Sequence, residues 1–322
     1  MIDQIKERYI NPYTDFGFKK LFGTEVNKDL LISFLNALLE GQEKAITDIQ
    51  YLNSEQLGNG YSERRSVFDV YCTTEDGSRF IVEMQKAPQP YFKDRTLYYS
   101  AAAIQKQGQT GEWNYCLSPV YAVSVMNFNF PHDEYPDDAP KHVVQLKDVE
   151  DNHVFYDKLT FIYLEMPKFN KTDAELVTMF DKWMFVLRNL SRLMERPVAL
   201  QERIFTKIFE QAEIARYTPE EYQNYEESKK VLWDNYSTLE YAVETGRKEG
   251  RAEGRAEGRE EGEAIGLVKG RAEGEAIGLE KGKEAGKLEE KIDNARKMKE
   301  CGVDINIIST VTGLSADEIE KL

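Results

Sequence analysis

The 322-residue chain has no run of about 18 apolar residues, which excludes a membrane-spanning helix. Its three cysteines, Cys72, Cys116 and Cys301, are odd in number and widely spaced. That excludes a disulfide framework and a CxxC zinc site, and it makes the cytoplasm the expected compartment. The three histidines, His132, His142 and His153, lack metal-ligand spacing. Residues 1–10 are charged and carry no apolar stretch, so no secretory leader is expected. Positive charge is scarce. The formal net charge is −15, which argues against a chain that coats nucleic acid along its whole surface and leaves room only for a local basic patch.

Apolar residues make up 41% of the chain and aromatic residues 11%, enough for a packed interior. They are unevenly spread. No aromatic residue follows Tyr241, and eleven of the 21 glycines stand at every fourth position from Gly246 to Gly286. The globular part therefore ends near residue 236, and a repetitive tail follows.

The globular part reads as mixed α/β. Thr14 or Asp15 can cap a short helix through Phe22, and Asn27 can start a longer one with Leu30, Leu31, Phe34, Leu35 and Leu38 at helical spacing. Strands are expected over residues 46–52, 67–73, 79–85, 120–126 and 155–164. A helix is expected over 91–107, with Leu97, Ala101 and Ile104 on one side, and helical periodicity returns from 172 to about 236.

Two carboxylates interrupt the apolar runs of residues 67–72 and 80–85, namely Asp69 and Glu83. A carboxylate in such a run is costly to bury without compensation. Glu75-Asp76-Gly77 is a turn signal between the runs, and a three-residue loop there sets Asp69 opposite Glu83. Gln85, two residues on, shares the face of Glu83. Directly opposed side chains stand roughly 5 Å apart at Cβ, so two ionised carboxylates repel, and a hard divalent cation such as Mg²⁺ relieves the repulsion. Around them, Arg64, Arg65, Arg79, Lys86, Lys93, Arg95 and Lys106 outnumber the acids, so residues 64–106 carry a net charge of +2. The alternative is that both carboxylates lie on an ordinary solvated strand face.

The opening block Asn11-Pro12-Tyr13-Thr14-Asp15-Phe16-Gly17-Phe18-Lys19-Lys20-Leu21-Phe22-Gly23, with Phe68-Asp69-Val70 and Val82-Glu83-Met84-Gln85, resembles the recombination-promoting nuclease (Rpn) and putative transposase family of the PD-(D/E)XK nuclease superfamily. The resemblance implies a restriction-endonuclease-like α/β core of order αβββαβ, which matches the order read from periodicity, followed by a helical annex and a Gly-repeat tail. On it the expected domains are a nuclease-like domain at 1–165, a helical annex at 166–236, a charged helical spacer at 237–300 and a short helical hairpin at 301–322. It also implies a metal-dependent DNA endonuclease that hydrolyses phosphodiester bonds, associated with recombination or with mobile-element or defence biology. Its cofactor would be Mg²⁺, with Mn²⁺ or Ca²⁺ as alternatives.

Carried over by position, Asp69 and Glu83 are metal ligands, the Met84 main-chain carbonyl completes the shell, and Gln85 takes the place of the superfamily lysine. Asp15 matches the acidic residue of the first helix; its other reading is a helix cap. Lys86 is set aside because regular alternation points it to the opposite face. Lys19 or Lys20 on the first helix, and Arg95 on the later one, are candidates to face the phosphate. Tyr98 and Gln105, two helical turns apart, are candidates to line a DNA groove. No separate DDE-type transposase domain is present. A reading from another class is a weak or inactive nuclease fold that serves as an interaction or oligomerisation module.

The tail repeats Gly262-Glu263-Ala264-Ile265-Gly266-Leu267 at Gly274-Glu275-Ala276-Ile277-Gly278-Leu279. Each glycine costs a helix about 1 kcal/mol relative to alanine, so the tail reads either as a partly helical spacer that self-associates in coiled-coil fashion or as a solvated linker. After it, residues 304–312 and 315–322 read as two short helices joined at Gly313.

Overall fold

The computed structural model describes residues 7–41, 44–53, 55–56, 66–131, 135 and 137–322. Arg64 and Arg65 of the basic segment, His132 and the first six residues lie outside the described residues. The chain divides into two compact units, Met1–Glu240 and Tyr241–Leu322.

In chain order the first unit holds α1 (Asp15–Phe22), α2 (Lys28–Leu38), β1 (Ile49–Tyr51), β2 (Glu55–Gln56), β3 (Ser66–Val67), β4 (Val70–Thr74), β5 (Arg79–Gln85), α3 (Phe92–Gln105), β6 (Val120–Met126), β7 (Lys141–Lys147), β8 (Val154–Glu165), α4 (Met179–Asn189), α5 (Arg203–Ala212) and the start of α6 (Pro219–Glu300). Six strands form one sheet in the order β1-β4-β5-β6-β8-β7, and β2 pairs with β3 apart from it. The central β5, β6 and β8 run parallel, and their last residues Gln85, Met126 and Glu165 stand in register along one edge. β1, β4 and β7 are antiparallel to their neighbours.

Both faces of the sheet are covered, in line with the mostly apolar run of β6, which is interrupted only by Ser124 and buried at every position. On one face Phe80, Val82 and Met84 of β5 join a core with Phe18, Phe22, Phe34, Trp183, Phe205 and Tyr225. The helices of the expected annex thus share the interior of α1 and α2. Trp183 is fully buried against Phe22, Phe34 and Phe205, and its indole N–H donates to Ser33 Oγ at 3.2 Å. On the opposite face Ile81 packs with Phe92, Phe161 and Tyr163 beneath α3.

Most expected elements are present; apart from the short β2, the differences are as follows. β7 was not expected, because Lys141, His142, Gln145 and Lys147 hide the pattern of an edge strand. The strand expected over 67–73 is broken at Phe68 and Asp69. α3 buries Phe92, Thr96, Ser100 and Ala103 in place of the expected Leu97 and Ala101, both of which are exposed. The reason is local: the Thr96 and Ser100 hydroxyls donate to the carbonyls of Phe92 (3.0 Å) and Thr96 (2.9 Å), so these small polar residues are buried with their hydrogen bonds made.

In the second unit α6 passes through the Gly repeat as continuous helix, with ion pairs such as Arg259–Glu263 at 2.9 Å and Arg271–Glu275 at 3.2 Å. α7 (Ile305–Thr312) and α8 (Ala316–Glu320) fold back on its end around Ala295, Ile308, Leu314 and Ile319, joined at Gly313 with φ of 74°. Among the described residues no helix is long and apolar enough to cross a membrane.

Candidate active site

The site is built from the end of β5, the residue before β4, and the first turns of α1 and α3. The Glu75-Asp76-Gly77 turn closes as expected: Gly77 has φ of 84°, and the Thr74 N–H donates to the Ser78 carbonyl at 2.9 Å. This fixes the pairing of Val70 with Val82 and Thr73 with Arg79, the register that carries Asp69 to the level of Glu83.

Asp69 itself sits in a bend just before β4. Its carboxylate accepts a 2.8 Å hydrogen bond from the Met84 N–H, standing in for the main-chain acceptor that a longer β4 would supply. The bend reverses the alternation, so Phe68 joins the α3-side core while Val70 joins the other. The Gln85 carbonyl accepts from Asn127 on the β6 side. Since successive peptide groups of a strand face opposite neighbours, the Met84 carbonyl is directed to the β4 side, as its N–H is.

Glu83 and Gln85 lie on the α3 face and are buried, 7% and 6% exposed. The Gln85 amide donates to Glu83 Oε2 at 2.8 Å, and the Arg95 guanidinium donates to Gln85 Oε1 and to Gln89. Arg95 lies over the rings of Phe92 and Tyr99, and its buried Nε has no hydrogen-bond partner among the described residues. Burial pushes the Glu83 carboxyl up to about 8; the Asp69 carboxylate acts in the same direction, and Arg95 and Gln85 act against it. Burial also raises Asp69, opposed by the Met84 hydrogen bond, raised further by Asp15 and lowered by Lys19 and Lys86. The two carboxyls are therefore electrostatically coupled, and both are hard to ionise together.

On the α1 side a cleft of about 900 Å³ is lined by Asp15, Lys19, Asp69, Lys86 and, from the start of α6, Asn224 and Glu227. The Thr14 side chain, rather than Asp15, caps α1 by accepting from the Gly17 N–H at 3.0 Å. Asp15 is left free of the cap and pairs with Lys19 at 3.0 Å. α6 is fastened here by Tyr225, whose buried hydroxyl accepts from the Asn11 N–H, and by Ser228, which accepts from the Phe16 N–H.

The structure thus gathers Asp15, Lys19 and Asp69 in one cleft, and Glu83, Gln85 and Arg95 in a hydrogen-bonded set on the other side of the same strand end. Tyr98 and Gln105 are exposed on α3, outside both groups. Lys86 was set aside on regular alternation, yet it lines the Asp69 cleft. Alternation does put Lys86 on the face opposite Glu83 and Gln85, as expected; it is Asp69 that departs, because the bend turns it out of the face of Glu83 and into the cleft on the Lys86 side. Among the described residues no three His, Cys, Asp or Glu side chains converge on one point that could hold a metal ion.

Residues 12–242 match the family described as PD-(D/E)XK nuclease family transposase. The chain belongs to this family. The six-stranded mixed sheet with helices on both faces is consistent with the PD-(D/E)XK fold, and family membership points to a nuclease-like function. No curated protein and no solved structure matches the chain.

Proposed function

We propose that the protein is a divalent-metal-dependent DNA endonuclease whose site is Asp69, Glu83, the Met84 carbonyl and Gln85. The observation that carries this reading is the coupled carboxyl pair. Glu83 is buried and raised further by the charge of the half-buried Asp69, an arrangement that a bound cation relieves, and both side chains present only hard oxygen donors. With no third acidic side chain in reach among the described residues, the remainder of the shell falls to the Met84 carbonyl, to water and to phosphate oxygens, a donor set that suits Mg²⁺. When bound, the ion supplies charge stabilisation at the phosphate and a lowered pKa for water.

The chain's own groups do the rest. Asp69 and Glu83 would hold the ion in their ionised forms, meeting it around the end of β5 rather than across one sheet face. The Gln85 amide orients the attacking water by hydrogen bonding but, being uncharged, takes no proton from it. Arg95, with a buried donor to spare, faces the phosphate and favours the ionised form of Glu83. Lys19 and Lys86 place positive charge in the cleft beside Asp69, offsetting the acidic character of the whole chain. Asp15 acts through Lys19 and through the field at Asp69, outside the metal shell. Tyr98 and Gln105 on the exposed face of α3 lie where a duplex would run. The tail, helical and studded with exposed Ile265, Leu267, Ile277 and Leu279, serves self-association.

The test is plasmid nicking by the purified full-length protein across a panel of Mg²⁺, Mn²⁺ and Ca²⁺. Wild type should nick and Asp69→Ala should not; equal cutting by both proteins would discard the assignment.

A further inference from the structure

The hydrogen-bond chain that starts at Glu83 runs through Gln85 and Arg95 to Gln89. Gln89 stands on the wall of a second pocket, of about 570 Å³, between the loop after β5 and the loop after β6. Both loops leave the same edge of the parallel strands, where open α/β sheets place their ligands. The pocket is walled by Tyr91, Phe92, Phe128 and Phe130, with the amides of Gln89 and Asn129 beside them. A Lys93 ammonium lies 5.1 Å from the centre of the Phe130 ring.

Tyr91 is the unusual member. Its backbone is left-handed, with φ of 58°, a conformation that L-residues other than glycine, asparagine and aspartate seldom adopt. Its side chain is 80% exposed, so core packing does not account for the strain. Strain of this kind on a pocket wall is a reason to look for a function there. A solvent-facing aromatic ring on the wall of an otherwise aromatic pocket, with amide donors and acceptors at its side and a cation near by, has the chemistry that receives a nucleobase: stacking on its face and hydrogen bonding at its edge.

We propose that this pocket takes up one unpaired nucleobase of the DNA strand held at the carboxylate site, with Tyr91 stacking on it. The proposal rests on the nuclease reading above and adds a substrate class to it. A base inside an intact duplex is stacked on its neighbours and must be extruded at a cost, whereas a bulged, mismatched or flapped base is already free. The protein therefore prefers DNA with an unpaired nucleotide beside the cleaved bond.

The experiment is binding by the full-length protein in EDTA, where cutting does not intervene. Two duplexes of one flanking sequence carry 2-aminopurine, either paired or as a single-nucleotide bulge. The bulged duplex should bind about tenfold more tightly, with quenched 2-aminopurine fluorescence. Tyr91→Ala should lose both the preference and the quenching, and Tyr91→Phe should keep both. Tyr91→Gly, which accepts the left-handed backbone without strain, should behave as Tyr91→Ala while melting no lower than wild type, which assigns the loss to the ring. Equal binding of the two duplexes by wild type, or a preference that survives in Tyr91→Ala, overturns the proposal. The nuclease reading is scored apart, by plasmid nicking with metal. Nicking without bulge preference sinks the pocket alone, and bulge preference without nicking sinks the nuclease reading alone.

Discussion

The carboxylate of Asp69 accepts a 2.8 Å hydrogen bond from the main-chain N–H of Met84. One side chain thus ends a β-ladder and, in the proposed reading, holds a metal ion. The two roles separate by substitution. Asp69→Asn keeps an acceptor for the N–H and should cost less than about 1 kcal/mol. Asp69→Ala leaves the N–H unpaired and should cost about 1–3 kcal/mol. Both should abolish metal-dependent nicking. Thermal melting gives the first pair of numbers and a nicking assay the second; an active Asp69→Asn protein would remove the aspartate from the metal shell.

Glu83 makes the metal-free fold pH-dependent. Its ordinary carboxyl value is 4.5 and its folded value about 8, raised by burial and by Asp69 against Arg95 and Gln85. Between those values the folded chain keeps a proton that the unfolded chain has released. Stability therefore falls as pH rises across that window, by on the order of a few kcal/mol, and levels off above it. Melting temperatures in EDTA from pH 5 to 9 should show the slope, and Glu83→Gln should flatten it. Mg²⁺ binding needs the ionised pair, so the stabilisation by added Mg²⁺ should grow as pH rises toward 8.

Arg95 is coupled to the same proton. Its guanidinium lowers Glu83, so Arg95→Ala should move the rise of nicking with pH to higher pH, in addition to lowering the rate. Arg95→Lys should recover most of the pH position but less of the rate, since an ammonium cannot reproduce the guanidinium fork to Gln85 and Gln89. A pH–rate profile unchanged in Arg95→Ala would disconnect the arginine from Glu83.

Trp183 ties the helices after the sheet to those before it. Trp183→Ala should cost about 3–5 kcal/mol and lower the melting of the whole first unit in one transition. Two separate transitions, with only the later helices affected, would show that residues 166–236 fold on their own.

The tail glycines face open space: a methyl group at Gly258, Gly266 or Gly278 would meet nothing within 4 Å. Replacing these three by alanine should add about 1 kcal/mol of helix stability each, visible as higher helicity near the melting temperature. Sedimentation velocity of the same variant reads self-association, which should persist if Ile265, Leu267 and Ile277 rather than the glycines make the contact.

What the amino-acid order determined by itself was local. A glycine with positive φ at position 77, three turn residues and two alternating runs were enough to set Asp69 level with Glu83, because a hairpin register follows from its loop length. The mostly apolar run of β6 announced a strand covered on both faces, and the opening block carried the family. Tertiary structure alone decided the rest. It bent the chain at Asp69 so that a carboxylate replaced a ladder carbonyl, turned Thr96 and Ser100 of α3 inward, and bound the late helices to the early ones through Trp183. It brought Lys86 beside Asp69 and Gln89 to the end of a chain starting at Glu83. Each of these depends on what a residue meets across tens or hundreds of positions, and a free energy of contact between distant segments leaves no periodic trace along the chain.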